Sequence, residues 1–295
     1  MEIRGRAARR RGLAVLALLT GATAFVAFAA RMWAPRTSAG PCVIAGGPTS
    51  LPDVPETSGL AIGRRQPVLW THNDSGHETD LFAIDDTGRQ VGRVRVPVAT
   101  RDWEDVSAGP CPAGDCLYVA DIGDNGQGRP QVFLHRLPEP APGSSTADAP
   151  ETFTLTYPDG PHNAEGLFVL GDEAFVVTKD RTGTVYRTGP LPAGGGAVTV
   201  RRLGDLGLER VTDAEASTDG RTVVARTARV ASLHRASDIL AGQMRPSLTI
   251  PLDDVRESQG EGVAMRGDTL YLSSEAGPFG GGGSLLRLRC RLPSP

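Results

Sequence analysis

One pattern recurs along this chain and constrains its fold more than any other feature. It opens on a small or acidic residue, runs into a short apolar strand, turns at Gly or Asp, and returns as a second strand that ends in polar residues. Five copies align: "TSGLAIGRRQPVLWTHNDSG" from Thr57, "WEDVSAGPCPAGDCLYVADIGDN" from Trp103, "AEGLFVLGDEAFVVTKD" from Ala164, "AEASTDGRTVVARTAR" from Ala214 and "GEGVAMRGDTLYLSSE" from Gly260. A third strand follows each copy ("DLFAID", "QVFLHR", "TVYR", "ASLHR", "SLLRLR"), and a fourth precedes the next ("VGRVRV", "TFTLTY", "AVTVRR", "SLTIP"). The opening positions 58, 104, 165, 215 and 261 lie 46, 61, 50 and 46 residues apart. Four short strands every ~40–50 residues is the spacing of β-propeller blades. The longest interval contains the Cys111–Cys116 segment and "LPEPAPGSSTADAP", both read as surface insertions.

The expected fold is therefore all-β, a propeller of five blades, with six as the alternative because the fourth copy is degenerate. The fifth copy lacks a fourth strand after "SLLRLRC", while "CVIAG" near the start has no other assignment. If "CVIAG" supplies that strand, the two ends of the domain close the ring together. Four cysteines pair as two disulfides in an exported chain. Cys111 and Cys116 form a local loop staple, which leaves Cys42 for Cys290 across the closure.

The export reading comes from the N-terminus. Arg4, Arg6 and Arg9 to Arg11 precede an apolar run, Gly12 to Ala30, that ends in Ala-Phe-Ala. Residues 1–30 are thus a signal peptide or, uncleaved, a membrane anchor through residues 12–30, since the run approaches the ~20 residues that span a bilayer. Residues 31–40 are a linker, and 41–295 one propeller domain in a secreted or extracytoplasmic setting. Residues 1–39 carry seven Arg and one Glu, so the 31 basic and 34 acidic residues fall to 24 and 33 without them, a net charge of −9. An acidic domain argues against nucleic acid as partner and is compatible with cations.

Propeller topology brings the opening of every first strand and the end of every second strand to one face. The opening set is Glu56 and Ser58, Asp102, Glu104 and Asp105, Asn163 and Glu165, Asp213 and Glu215, Gln259 and Glu261. The return set is His72, Asn73 and Asp74, then Asp121, Asp124 and Asn125, then Lys179 and Asp180, Arg226, and Glu275. Such a ring repels itself unless neutralised. Hard oxygen ligands suit Ca²⁺, which takes six to eight of them. Glu104, Asp105, Asp121, Asp124, Glu165, Asp213, Glu215 and Glu261 are the candidate ligands. The same carboxylates can instead accept backbone hydrogen bonds from adjacent turns, blade after blade. "DIGDNGQG" has a calcium-loop composition without EF-hand spacing. Trp103 reads as blade packing.

Among 31 basic residues only Lys179 is a lysine. Lys179, His72 and Arg226 together suit an anion such as phosphate, and Lys179, His72 and Asp105 are the candidates for catalysis. Neither a Gly-x-Ser-x-Gly elbow nor a P-loop nor a His-Glu-x-x-His motif is present. "GPFGGGGS" is a blade loop, and His77, His135, His162 and His234 are scattered.

At "SGLA", "AEGLFV" and "GEGVAM" the chain resembles exported bacterial propellers of the SdiA-regulated family, the "esterase-like activity of phytase" family and the regucalcin/gluconolactonase type. The resemblance implies a Ca²⁺-binding propeller, with phosphoester or ester hydrolysis in some members. It carries over to Glu165 and Glu261; Glu104 and Glu215 lack the following Gly, Ser58 replaces the acid, and those families are usually six-bladed. Two functions follow. One is a binding or scaffold module for a cell-envelope glycan or protein. The other is a Ca²⁺-dependent hydrolase acting on a small anionic ester.

Overall fold

The structure is a computed structural model that describes residues 38–278 and 281–292. Its strands form five antiparallel sheets, and among the described residues the single helix is the five-residue α1 (Ala236–Leu240). Blade 1 is β3 (Thr57–Ile62), β4 (Leu69–Asn73), β5 (Asp80–Ile84) and β6 (Gln90–Arg95). Blade 2 is β7 (Trp103–Cys111), β8 (Gly114–Asp121), β9 (Val132–Pro138) and β10 (Glu151–Thr156). Blade 3 is β11 (Ala164–Leu170), β12 (Glu173–Thr178), β13 (Thr184–Pro190) and β15 (Arg201–Asp205). Blade 4 is β16 (Asp213–Ala216), β17 (Thr222–Arg226), β18 (Val230–Arg235) and β19 (Leu248–Pro251). With β20 (Gln259–Arg266) of the fifth blade, the innermost strands contact one another in the closed order β3, β7, β11, β16, β20 and back to β3, so the described residues form a five-bladed propeller.

Blade 5 is where the chain ends meet. Its first three strands are β20 (Gln259–Arg266), β21 (Thr269–Glu275) and β22 (Gly283–Cys290), and the fourth is β2 (Cys42–Leu51) from the opposite end of the sequence. A short strand β1 (Ser38–Ala39) pairs outside β2. Cys42 lies opposite Cys290 in this register and is disulfide-bonded to it, and Cys111 is bonded to Cys116. The long-range bond closes a loop of 248 residues. Cross-links over loops of that length stabilise by several kcal/mol, about 4.7 in the chain-entropy account at 100 residues.

Five apolar clusters hold the ring together, one at each junction between blades. Trp70, Leu81 and Trp103 anchor blade 1 to blade 2, Tyr118, Phe153 and Leu167 join blades 2 and 3, and Phe168 and Phe175 lie stacked between blades 3 and 4. Val224, Val263 and Leu288 join blades 4 and 5, and Leu60, Ile84 and Tyr271 close blade 5 onto blade 1. The alternating pattern of the strands puts one face of each blade into each of two such clusters.

The stretch "AVTVRR" corrects the sequence reading. It was expected as the outer strand of blade 3, but the structure divides it. Strand β14 (Gly196–Thr199) pairs in parallel with β10 at the edge of blade 2, and Arg201–Asp205 completes blade 3. Val200, buried between the two, donates its amide to the Thr156 carbonyl. Blade 2 thereby gains a fifth strand over an otherwise open edge. The Pro/Ala/Ser-rich insertion has a similar place: Ser145 and Ala147 hydrogen-bond to the Arg95 backbone along the edge of blade 1.

The expected signal peptide or anchor, at residues 1–30, lies outside the described residues. Among the described residues no helix is long and apolar enough to cross a membrane.

Candidate functional site: an acidic channel mouth

The first strand of four blades is bulged just after it begins. The register shifts between Ser58 and Ala61, Trp103 and Asp105, Ala164 and Gly166, and Gly260 and Val263. A bulge leaves an extra residue unpaired and re-aims its side chain. Glu104 and Glu165 are such extra residues, and Glu261 lies in the equivalent shift of blade 5. Bulging also frees amides from the ladder, which turn toward the axis. This is the local origin of the recurring "SGL", "EDV", "EGL" and "EGV".

Two buried carboxyls collect those amides. Asp105 accepts from Val106 at 2.7 Å through Oδ1 and from Leu167 of the next blade at 2.6 Å through Oδ2. Asp213 accepts from Val263 of blade 5 at 2.5 Å through Oδ2. The Leu60 amide of blade 1 and the Asp105 carboxyl also face Asp213, whose Oδ1 has no hydrogen bond of normal geometry. Burial, and for Asp105 the neighbouring Asp213, push both groups above the usual carboxylate range. Two like charges at that depth are tolerated only when a proton is shared between them. Deeper still, Glu215 accepts from Ser107 Oγ at 2.5 Å and from the Ala108 amide at 3.3 Å, and burial raises it as well. Gly59 is required beside this cluster: its φ is +61°, and a Cβ there would stand 2.5 Å from Asp105 Oδ1. Asp105, Asp213 and Glu215 are thus channel-filling groups that cross-link first strands.

The mouth above them is different. Glu104 is only 4% exposed, yet no donor among the described residues reaches its carboxylate. Ligand oxygens of Asp74, Asp102 and Glu104 lie within 4.8 Å of one another. Burial first, then the charges of Glu165, Asp74 and Asp102, drive Glu104 far above its ordinary value; burial and Asp74 raise Asp102. Gly123 makes the close approach possible, since a Cβ there would fall 2.1 Å from Glu104 Oε1 and 2.3 Å from Asp102 Oδ2. That assigns a role to the glycine of "DIGDN".

Toward the axis, Lys179 forms an ion pair with Glu165 and its charge acts on Glu104, Glu261 and Glu275 as well, with Arg226 adding to it at Glu261. Burial raises Glu165 and Glu261 against the opposing pull of Lys179. Glu275 is pushed up to about 7, by burial and then by Glu261 and its other acidic neighbours. Glu261 also accepts from Gln259 Nε2 at 2.8 Å. Ser58 Oγ and Thr212 Oγ1 donate to the backbone carbonyls of Glu104 and Glu261, so the two blades without a glutamate here brace the next blade's acid.

The other expected site residues are placed elsewhere. Asp121 accepts from Arg129 Nη2 at 2.7 Å and from the amides of Arg101 and Asp102. Asp124 accepts from the amides of Gly128 and Arg129. Both carboxylates are consumed in shaping the 121–129 loop. Arg226 is fully buried, paired with both oxygens of Glu257 and bonded to the Thr227, Gly262 and Ser273 carbonyls, which commits its guanidinium to the protein interior. His72 is also fully buried, held edge-on to Trp103, with burial pushing its pKa down. Its Nδ1 lies 2.9 Å from the Asn73 carbonyl, so that nitrogen carries the proton and the ring is neutral. Asp74 and Asp102 were legible as members of the converging sets, and the pairing of one blade's return with the next blade's opening singles them out.

At the opposite mouth lies a cavity of about 630 Å³, lined in part by Arg64, Asp172, Arg187 and Asp219. Arg64 is paired with Asp115 and Arg187 with Glu173, so the arginines there are already met within the protein. The uncompensated charge is at the acidic mouth.

No protein-family model matches the chain, and no curated protein matches it. Among solved structures it is similar to the hydrazine synthase of Kuenenia stuttgartiensis, at 16% identity and a TM-score of 0.38 over 78% of this chain and 58% of that one. It is similar to a luciferin-regenerating enzyme at 12% identity and a TM-score of 0.43, over 80% of this chain and 92% of that one. A chain of a mitotic checkpoint complex gives 12% identity and a TM-score of 0.39, over 82% and 63%. The chain thus spans less than two thirds of the synthase and checkpoint chains, and likeness at this level does not bear on function.

Proposed function

We propose that this chain is an exported propeller acting as a binding module, with a Ca²⁺ ion held at its acidic mouth by Asp74, Asp102 and Glu104. The observation that carries the reading is Glu104: a buried carboxylate without a protein donor, set against two further carboxylates. Such a group either keeps a proton or takes a cation, and three carboxylates offer the hard oxygens that Ca²⁺ prefers. The apolar run after an Arg-rich start and the two disulfides support export.

Thermal unfolding of the full chain in EDTA and then in rising Ca²⁺ tests it. A ligand that binds only the folded state stabilises by about 2.7 kcal/mol at 100 times its dissociation constant. The expected result is a Ca²⁺-dependent rise in Tm that Asp74→Asn and Glu104→Gln abolish. An unchanged wild-type Tm across the series would sink the proposal.

The hydrolase reading keeps one specific support. Glu165 is raised above the usual carboxylate range beside the Lys179 ammonium, an arrangement suited to passing a proton. Turnover of phosphoesters or carboxylic esters that needs Ca²⁺ and is lost in Glu165→Gln is its expected outcome.

A further inference from the structure

Three blades send a glutamate to the axial mouth: Glu104 from β7, Glu165 from β11 and Glu261 from β20. All three are buried, at 4%, 5% and 6% exposure. One ammonium serves them. Lys179 follows the last residue of β12, its amide bonded to the Asn163 carbonyl, so its backbone is fixed at the rim of blade 3. Its side chain, 19% exposed, turns inward to pair with Glu165, and its charge acts on Glu261 and Glu104.

We infer that the Lys179 ammonium is a built-in counter-ion, standing at the axis where Glu165 and Glu261 would otherwise hold a divalent cation. The choice of residue fits. The chain has 31 basic residues, and this position alone is Lys. An ammonium is a compact point charge with three donors, able to occupy an ion-sized space among carboxylates, whereas a guanidinium is a planar fork that needs more room. The lone Lys therefore stands where the basic group must act as a point charge. Glu104, with no donor of its own among the described residues, is a third carboxyl of this mouth that the single ammonium does not pair with. The axial position is distinct from the Asp74, Asp102 and Glu104 site, and the inference does not depend on an ion there.

Calorimetric titration of CaCl₂ into the full chain tests this by counting ions. Lys179→Met is expected to bind one more ion per chain than wild type. Adding Glu261→Gln to Lys179→Met should return the count to the wild-type number, and Lys179→Arg, which keeps the charge, should not raise it. An equal count for wild type and Lys179→Met would overturn the inference. The two proposals fail separately: a count of zero in wild type and one in Lys179→Met removes the Asp74, Asp102 and Glu104 site and leaves this inference standing.

Should Lys179→Met fail to fold, the wild-type chain labelled with ¹⁵N-lysine supplies the test, because it gives a single side-chain resonance. The ammonium is expected to stay protonated above the ordinary lysine range and to shift in Glu261→Gln. Ordinary titration with no response to Glu261→Gln would overturn the inference.

Discussion

Glu104 and Asp105 are consecutive residues of one strand, and they meet opposite fates. Asp105 faces down the channel and receives two amide hydrogens, at 2.7 and 2.6 Å. Glu104, the extra residue of the bulge, faces the mouth and receives none among the described residues. Both are buried, and burial pushes both above the usual carboxylate range. The difference lies in what the backbone offers. Bulges turn amides toward the inner carboxyls, whose work is to tie blades together. No backbone amide reaches Glu104, Glu165 or Glu261 among the described residues, and their charge is left for protons, for Lys179 or for a metal ion; Asp74 beside them takes the Ser75 amide, and Glu261 the Gln259 side chain.

Removing an inner carboxyl should have the largest effect. Asp105→Ala leaves the Val106 and Leu167 amides buried without an acceptor, at a cost of about 1–3 kcal/mol each, and relief of the repulsion with Asp213 offsets part of it. A net loss of about 2–4 kcal/mol in urea unfolding is expected. A loss below about 0.5 kcal/mol, within the range of ordinary surface changes, would erase the distinction between the two tiers.

At the outer tier the sign reverses. In EDTA at neutral pH, where burial and its acidic neighbours keep Glu104 protonated, Glu104→Gln removes the cost of taking up that proton on folding, and stability should stay level or rise by about 1 kcal/mol. A loss comparable to that of Asp105→Ala would show that Glu104 has a structural acceptor role after all.

The smallest expected effect is a pH dependence traced to Glu275. Its folded-state value of about 7 lies above the ordinary 4.5, so between those values the folded state holds a proton that the unfolded chain has released. Stability from this group is complete below pH 4.5 and is lost as pH rises toward 7. Stability measured in EDTA across that window should therefore fall, and Glu275→Gln should flatten part of the fall. A slope unchanged by Glu275→Gln would place the titration elsewhere at the mouth.

Much of the fold was legible in the sequence because its determinants are local and repeated. Alternating apolar strands, turns at regular intervals and an unassigned "CVIAG" opposite an incomplete fifth copy were enough for five blades closed by both chain ends. The cysteine pairing followed from the same logic. The misread outer strand of blade 3 shows the limit. "AVT" and "RRLGD" are both plausible strands, and the choice between edges depends on where Val200 is buried, which is a matter of packing.

At the site, the sequence determined that acidic residues would gather on one face, since topology alone brings strand openings and returns together. Only the tertiary structure decided which of them are free. Asp121, Asp124 and Arg226 match a ligand set by composition, yet Arg129, loop amides and Glu257 engage them. Asp105, Asp213 and Glu215 look like Glu104 in sequence, yet bulge-freed amides and a serine hydroxyl claim them. A side chain's identity fixes the charge it carries. Leu167, Val263 and Ser107, the donors that meet Asp105, Asp213 and Glu215, lie 62, 50 and 108 residues away in sequence, and only the closed ring brings them within hydrogen-bonding distance.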